Sequence, residues 1–249
     1  MPKKQEDLKI LYVQIRDDEE TQKEEFNEFV RFSGLKPEQF TILNVFKTPN
    51  FEESRPEHFD AVFVGGSSDA SVMKPLDYPF VGPLKDLLVW CVKYEKPVFA
   101  SCFGFQAAVD AMGGKLVVDE RNIQDANAII NITEEGVGDI LLEDTKNGFF
   151  AVSFHKERAE SLPDGAILLA YSETSPNQAF KLKDKPFYAF QFHPEIDKTD
   201  LVARMHRYVD RYHDDAGSSG MLRKIIDTAE ETPESNKLLR KFVERVLLI

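Results

Sequence analysis

Short apolar runs and stretches of helical periodicity alternate along the first half of the chain. Residues 8–15 (LKILYVQI) are nearly all apolar and predict a strand buried on both faces of a sheet. In the next segment Phe26, Phe29 and Val30 lie at helical spacing, and Gly34 has the position of a C-terminal cap. The pattern continues with predicted strands at residues 40–46 and 59–66, a helix at about 81–94 and a strand from residue 97. This alternation predicts an α/β fold with an open, mostly parallel central sheet flanked by helices.

The second half of the chain is richer in predicted strands. Six short segments are joined by polar connections, which favours antiparallel hairpins added to the same sheet over a separate domain. They are KLVVD, AIINIT, FFAVSFH, AILLAYSE, QAFKL and YAFQFH. A helix is predicted at about residues 199–213, and residues 214–220 (DDAGSSG) are the best candidate for a linker. We therefore expect a main domain over residues 1–213 and a linker with a helical tail over residues 214–249.

The predicted tail carries an apolar stripe with helical spacing. Its members are Leu238, Leu239, Phe242, Val243 and Val246. The favoured interpretation is that this stripe packs against the main domain. The alternative is a contact with a partner or with a second copy of the chain.

Composition and charge narrow the classes of function. The chain has 249 residues, of which 42% are hydrophobic and 30% charged, as in globular proteins. Lys and Arg number 31 against 43 Asp and Glu, so the formal net charge is −12. An acidic protein repels phosphate backbones and anionic lipids, and no segment has the ~20 apolar residues of a membrane helix. We therefore expect neither nucleic acid nor membrane as a partner.

The two cysteines, Cys91 and Cys102, are too few for a disulfide framework. The N-terminal residues also lack the apolar core of a signal peptide. Together these features predict a cytoplasmic location. No strong Cys or His cluster with metal-ligand spacing is present in the sequence, so we expect neither a metal nor another cofactor.

Cys102 lies at the junction between a predicted strand and a predicted helix. A cysteine acts as a nucleophile only as the thiolate, which the N–H groups and dipole of a helix N-terminus stabilise. Gly104 permits close approach of that helix to the strand, and the small Ala100 does the same on the other side. This arrangement is typical of a nucleophile elbow, here with cysteine. The alternative is an ordinary buried thiol, the usual role of a free cysteine.

The segment YAFQFHPEI contains the best partner for that thiol. Pro194 stops the strand and keeps His193 extended, so His193 and Glu195 face the same side. A carboxylate at this spacing can orient an imidazole and stabilise its protonated form. The alternatives are a structural histidine or half of a metal site. His155, at the end of another strand, is the second candidate base, and only Glu157 would be available to orient it.

These residues resemble those of a known family. The motifs ASCFGFQ, AMGG, FFAVSFHKE and AFQFHPE occur in this order between about residues 9 and 212. They are similar to motifs of the class I glutamine amidotransferases, whose glutaminase domain has a flavodoxin-like fold. The resemblance implies that Cys102 attacks the side-chain carboxamide of glutamine. It also implies that His193, oriented by Glu195, protonates the leaving ammonia and then activates water.

The resemblance further assigns the surroundings of the thiol. Backbone N–H groups of Gly66 and Phe103 would stabilise the oxyanion, a contribution typically worth about 10²–10³ in rate for one donor. The residues implied to contact the substrate are Gly65, Gln106, Ser153, Phe154 and His155.

The implied substrate is glutamine or another γ-glutamyl compound. Because the residues after Tyr212 are too few for a synthetase domain, released ammonia would pass to a separate protein. A stand-alone hydrolase of γ-glutamyl amides or peptides is the second interpretation. A non-catalytic relative that binds a metabolite or a partner in the same pocket is the third. The FHPE motif separates this chain from the flavodoxin-like proteases and chaperones that share an elbow cysteine.

Overall fold

The computed structural model of the protein describes residues 3–119, 126–211 and 216–248. In the first half, strands and helices follow in the predicted order, with ends that differ only slightly from the predicted ones. They are β1 (Ile10–Gln14), α1 (Glu19–Ser33), β2 (Phe40–Asn44), β3 (Ala61–Val64), α2 (Val81–Lys93), β4 (Val98–Ser101) and α3 (Phe103–Ala111).

The second half contains the six predicted strands and one that was not predicted. The strands are β5 (Lys115–Val118), β6 (Asn127–Ile132), β7 (Phe149–Val152), β8 (Glu157–Ser161), β9 (Ala166–Tyr171), β10 (Ala179–Leu182) and β11 (Phe187–Phe190). The helices are α4 (Glu134–Val137), α5 (Lys198–Arg211), α6 (Ala216–Thr228) and α7 (Pro233–Phe242), and α7 continues into a π-helical turn at Val243–Leu247.

Nine of the described strands form one sheet in the order β2-β1-β3-β4-β11-β10-β9-β6-β7. The five strands from β2 to β11 are parallel. The remaining four extend the sheet by antiparallel pairing. Every residue of β1, β3, β4 and β11 is buried, because helices cover both faces of this part of the sheet. The predicted α/β class with a mostly parallel sheet is confirmed.

One predicted strand belongs elsewhere. Strand β5 (KLVV) does not join the central sheet but pairs with β8 in a separate two-stranded antiparallel sheet. Leu116 of β5 and Ala159 of β8 pack into the core on the α3 side. Strand β8 was missed because Ala159 is its only buried residue, so it shows no run of apolar positions. The predicted addition of all six strands to one sheet was therefore wrong for β5. The predicted antiparallel pairing holds for β11 only on its β10 side, since β11 is parallel to β4.

Local signals set the ends of α1. The side chain of Asp18 accepts a hydrogen bond from the Thr21 N–H and so caps the helix N-terminus. Gly34 has a φ of 71°, a left-handed conformation that glycine adopts without steric cost, and it ends the helix as predicted. Among the described helices, none is both long and apolar enough to span a bilayer.

The C-terminal residues pack on the sheet. Leu238, Leu239, Phe242 and Val243 are fully buried in the core on the α1 side. The ring of Phe242 lies 5.4 Å from that of Phe99 in β4. Helix α6 already begins at Ala216, inside the predicted linker, and residues 214 and 215 lie outside the described residues. The apolar stripe of the tail thus contacts the same sheet that carries Cys102.

Candidate active site

The carboxyl ends of β3, β4 and β11 lie side by side. Strand β4 is parallel to both neighbours, and the register aligns Val64 with Ala100 and Phe190 with Ser101. The Cys102 N–H donates to the carbonyl of Phe190 over 2.8 Å, which joins the ends of β4 and β11. The residues that follow these strands therefore meet at one edge of the sheet, where ligands bind in open α/β folds.

Cys102 occupies the sharp turn between β4 and α3. Its φ of 49° and ψ of −99° lie in a region that residues with a side chain rarely adopt. Helix α3 begins at the next residue, and the Gln106 N–H donates to the Cys102 carbonyl over 3.0 Å. The structure therefore has the strand–turn–helix elbow that the sequence predicts. The thiol residue is 5% exposed.

Gly104 brings α3 against β3. A Cβ atom at this position would lie 2.9 Å from Val64 Cβ and 3.0 Å from the Val64 carbonyl oxygen. The Gly104 N–H donates to the carbonyl of Gly65 over 3.3 Å. The predicted close approach of the helix to a strand is confirmed, because no side chain larger than hydrogen fits between them.

His193 reaches the thiol from the segment after β11. Its backbone N–H donates to the Val152 carbonyl in β7 over 2.8 Å, which fixes the segment against the antiparallel part of the sheet. A Cβ atom built on Gly66 would lie 2.7 Å from His193 Cε1 and 3.5 Å from Cys102 Cβ. The imidazole and the cysteine thus flank the same glycine, although they are 91 positions apart in the sequence.

Glu195 contacts the Nδ1 side of the His193 imidazole. Its Oε1 lies 2.6 Å from His193 Nδ1 and also accepts a hydrogen bond from Ser101 Oγ over 3.0 Å. Glu195 is fully buried and His193 is 6% exposed. Ser101 was not predicted as part of the site. Its position next to Cys102 was the one signal in the sequence. Its hydrogen-bond partner, Glu195, is distant in the sequence and so gave no local signal.

The electrostatic setting favours an ion pair. Burial lowers the pKa of His193, but the charges of Cys102 and Glu195 outweigh it and raise that pKa to about 10. Burial raises the pKa of Glu195, but His193 and the hydrogen bond from Ser101 outweigh it and hold that pKa below its ordinary value. The pair is therefore imidazolium and carboxylate at neutral pH.

Comparison with known proteins identifies the family. Residues 38–207, more than half of the chain, match the family model of glutamine amidotransferase class-I. The chain belongs to the class I glutamine amidotransferase family. The solved structure of a glutamine amidotransferase from Thermotoga maritima has the same fold, with a TM-score of 0.74 at 21% identity, and the match covers 96% of this chain and 98% of that one.

Two curated proteins are similar to this chain in sequence, but the share of each that the match covers is very different. γ-Glutamyl peptidase 4 of Arabidopsis thaliana is 26% identical over 222 residues, which is 88% of this chain and 84% of the peptidase. The glutamine-hydrolysing GMP synthase of Thermosipho melanesiensis is 31% identical over 154 residues, which is 62% of this chain but 28% of the synthase. The chain thus spans under a third of the length of that synthase.

The loop of Gly65 and Gly66 after β3, called the glycine loop below, differs from the expectation in one respect. The Gly66 N–H, which the resemblance assigns to the oxyanion, donates to Glu25 Oε1 over 3.1 Å. The Gly65 N–H donates to the Val13 carbonyl over 3.1 Å. In this conformation the Gly66 N–H is therefore not available to a substrate. Phe103, the other predicted donor, is the first residue of α3 and directly follows the thiol residue.

Glu25 belongs to a buried polar cluster that the sequence did not reveal. It accepts hydrogen bonds from the Tyr12 hydroxyl and, over 2.9 Å, from Arg16 Nε. Arg16 also donates to Ser68 Oγ over 2.8 Å, on the loop that follows Gly66. Two signals were present: Arg16 directly follows a buried strand, and Glu25 precedes the core residue Phe29 by one helical turn on α1.

Of the five predicted substrate contacts, Gln106 and Ser153 lie on the segments that adjoin Cys102 and His193. Gln106 is one turn after Cys102 on α3, and its Nε2 donates to the Glu157 carbonyl over 2.7 Å. Ser153 directly follows Val152, the residue that pairs with His193, and its N–H donates to Ala126 over 2.8 Å. Both side chains are buried. Their contact with a substrate stays a prediction.

Phe154 and His155 continue the segment that begins with Ser153. Phe154 is partly buried and packs against the cluster that contains Val152 and Ile196. Burial lowers the pKa of His155 to about 4, and within the described part of the chain neither of its ring nitrogens has a hydrogen-bond partner. The Glu157 carboxylate accepts from Ser71 Oγ instead. His155 therefore lacks the orienting carboxylate that His193 has.

Proposed function

We propose that this class I amidotransferase releases ammonia from the glutamine side chain through a γ-glutamyl thioester on Cys102, and that the ammonia passes to a separate acceptor. One observation carries the proposal. Cys102, at a strained helix N-terminus, flanks the same glycine as His193, and His193 Nδ1 lies 2.6 Å from Glu195 Oε1. These are the nucleophile, acid–base group and orienting carboxylate that acyl transfer needs.

In the first half-reaction the Cys102 thiolate attacks the amide carbon of the substrate. The tetrahedral intermediate carries its negative charge on oxygen, and the first N–H of α3, from Phe103, is our candidate to stabilise it. The His193 imidazolium donates a proton to the nitrogen as the C–N bond breaks. Ammonia leaves, and the γ-glutamyl thioester remains with neutral imidazole beside it.

In the second half-reaction water replaces ammonia. Neutral His193 removes a proton from water, and the hydroxide equivalent attacks the thioester carbon. The C–S bond breaks, the γ-carboxylic acid of glutamate leaves, and Cys102 and His193 return to the thiolate–imidazolium pair. Glu195 keeps Nδ1 protonated throughout, so that Nε2 serves as the acid and base.

The glycine loop adds a requirement to this mechanism. Gly66 supplies a second oxyanion donor only after its N–H leaves Glu25 Oε1, to which it is now bonded over 3.1 Å. The thiol is also only 5% exposed. We therefore propose that substrate binding involves a movement of the loop after β3.

A second candidate is a hydrolase of γ-glutamyl peptides or amides. The specific observation in its favour is the match to γ-glutamyl peptidase 4, which covers 84% of that protein at 26% identity. The chemistry at Cys102 is the same, and only the leaving amine differs.

A substrate panel separates the two candidates. Purified protein is incubated with glutamine, glutathione and γ-glutamyl amines, and the free amine or ammonia is measured for each. We expect the highest kcat/KM for glutamine. Higher kcat/KM for glutathione or a γ-glutamyl amine would establish the second candidate instead. Turnover of none of them by protein with a titratable thiol would contradict both.

A further inference from the structure

The backbone on either side of Glu195 is held by a residue of the C-terminal tail. Asn236 Nδ2 donates to the carbonyl of Pro194 over 2.9 Å and to the carbonyl of Ile196 over 2.9 Å. These two carbonyls flank the residue whose carboxylate orients His193. Asn236 is 8% exposed, so both hydrogen bonds lie out of solvent.

A second side chain fixes the orientation of that amide. The Thr232 hydroxyl lies 2.9 Å from Asn236 Oδ1 and donates to it, and it also lies 3.4 Å from the Ile196 carbonyl. The Asn236 backbone N–H donates to the Thr232 carbonyl over 3.0 Å, as expected at the start of α7. Since Oδ1 faces a donor, the two N–H groups of the amide must face the segment that contains Glu195.

The helix that carries Asn236 is anchored to the sheet. Leu238, Leu239 and Phe242 of α7 are fully buried. The Phe242 ring lies 5.4 Å from the ring of Phe99, which is in β4 three residues before Cys102. The packing of Phe99 against Phe242 therefore links the two elements that position the site, β4 for the thiol and α7 for the carboxylate.

We propose that Asn236 is a positioning residue of the active site, which sets the place of Glu195, and through it the imidazole of His193, by holding the carbonyls of Pro194 and Ile196. This inference extends the proposed function, since it rests on His193 and Glu195 acting there. It assigns a role to a segment outside residues 38–207, the part that matches the family model.

The test compares three variants of α7. Asn236→Ala removes both of the amide's hydrogen bonds to the carbonyls, and Asn236→Asp keeps the shape of the side chain but replaces the Nδ2 donor with an oxygen that cannot donate to either carbonyl. The matched control is Lys241→Ala, because Lys241 is also buried on α7 but contacts Asp144 and Thr145, away from the active site. Thermal unfolding of all three is measured, and kinetics are run well below the lowest Tm.

For Asn236→Ala and Asn236→Asp we expect kcat to fall about 10- to 100-fold, with KM within about threefold, since a displacement of about 1 Å in a catalytic group has effects of this size. Lys241→Ala should lower Tm by a similar amount and leave kcat within about twofold. The proposal is overturned by unchanged kcat in both Asn236 variants. It is also overturned by an equal loss of kcat in the control.

A substrate-free readout keeps this test separate from the proposed function. Alkylation of Cys102 by iodoacetamide at neutral pH depends on the imidazolium beside the thiol. We expect it to be slower in both Asn236 variants than in the wild type and in Lys241→Ala. If the wild type cleaves no γ-glutamyl compound, the proposed function fails, while this alkylation series still decides the role of Asn236. Equal alkylation rates in all four proteins would contradict that role.

Discussion

The two cysteines show how much the position of a thiol decides its chemistry. Cys91 is fully buried among the apolar residues of α2, and burial raises its pKa to about 12. Cys102 stands at the start of a helix beside His193, whose imidazolium is stabilised by Glu195. We therefore predict that the same side chain is inert in α2 and acts as the nucleophile at the start of α3.

Glu195→Gln tests the orienting carboxylate at the residue scale. The amide keeps the shape of the side chain but loses the Glu195 charge, which together with that of Cys102 raises the pKa of His193 to about 10. Because the first half-reaction of the proposed mechanism needs imidazolium as the acid, the fall of activity at high pH should move to lower pH. We expect kcat to decrease about 10²-fold, less than on removal of Cys102.

The same pair has a consequence for stability. A histidine whose pKa is raised on folding, from an ordinary value of about 6.5, stabilises the fold fully below about pH 6.5. This contribution is lost as the pH rises through about 10. The difference in unfolding free energy between wild type and Glu195→Gln should therefore shrink at high pH. A pH–rate profile and urea unfolding at several pH values measure both effects, and identical profiles for the two proteins would exclude this role for Glu195.

At this scale the sequence revealed the residues that local pattern marks. Cys102 was found from the strand-to-helix junction, and His193 with Glu195 from their two-residue spacing in an extended segment. Glu25 and Asn236 were not found, because their partners are distant in the sequence: Gly66 in one case, Pro194 and Ile196 in the other. Contacts of this kind depend on how the elements pack.

At the scale of elements, the order of the strands assembles the site. Strand β11 comes last in the sequence but inserts next to β4, so His193 arrives beside Cys102. The alternation of apolar runs in the first half predicted the parallel strands β1 to β4, of which β1, β3 and β4 are buried on both faces. The parallel pairing of β11 with β4 was not predicted. The sequence pattern also did not predict β8, in which Ala159 is the only buried residue, or that β5 pairs with β8 away from the central sheet.

Gly104→Ala tests the packing of α3 on β3. Its Cβ would lie 2.9 Å from Val64 Cβ, so the helix that carries the elbow must shift. We expect a loss of about 1–3 kcal/mol from overpacking, partly offset by the better helix propensity of alanine. The matched control is Gly82→Ala in α2, where nothing lies within 4 Å of the added Cβ.

The control should be neutral or slightly stabilising, because alanine is favoured over glycine in helices by up to about 1 kcal/mol. Urea unfolding of the two variants and the wild type gives the comparison. If Gly104→Ala were as stable as Gly82→Ala, the close contact between α3 and β3 would not be required for the elbow.

At the scale of the whole molecule, helix α7 of the C-terminal tail contacts the segment that carries Glu195. Helix α7 fills the core on the α1 side with Phe242 and holds the Glu195 segment with Asn236. The apolar stripe in the sequence predicted the first of these contacts but gave no sign of the second. The division into a domain of residues 1–213 and a tail of residues 214–249 remains a prediction.

The central claim is that Cys102 carries the acyl group during turnover. The direct measurement is intact-protein mass spectrometry of acid-quenched reactions with glutamine and glutathione, followed by peptide mapping of any adduct. We predict a γ-glutamyl adduct on Cys102 in the wild type and in Cys91→Ala, and neither adduct nor turnover in Cys102→Ala. Turnover that survives in Cys102→Ala, or an adduct mapped to another residue, would contradict the account.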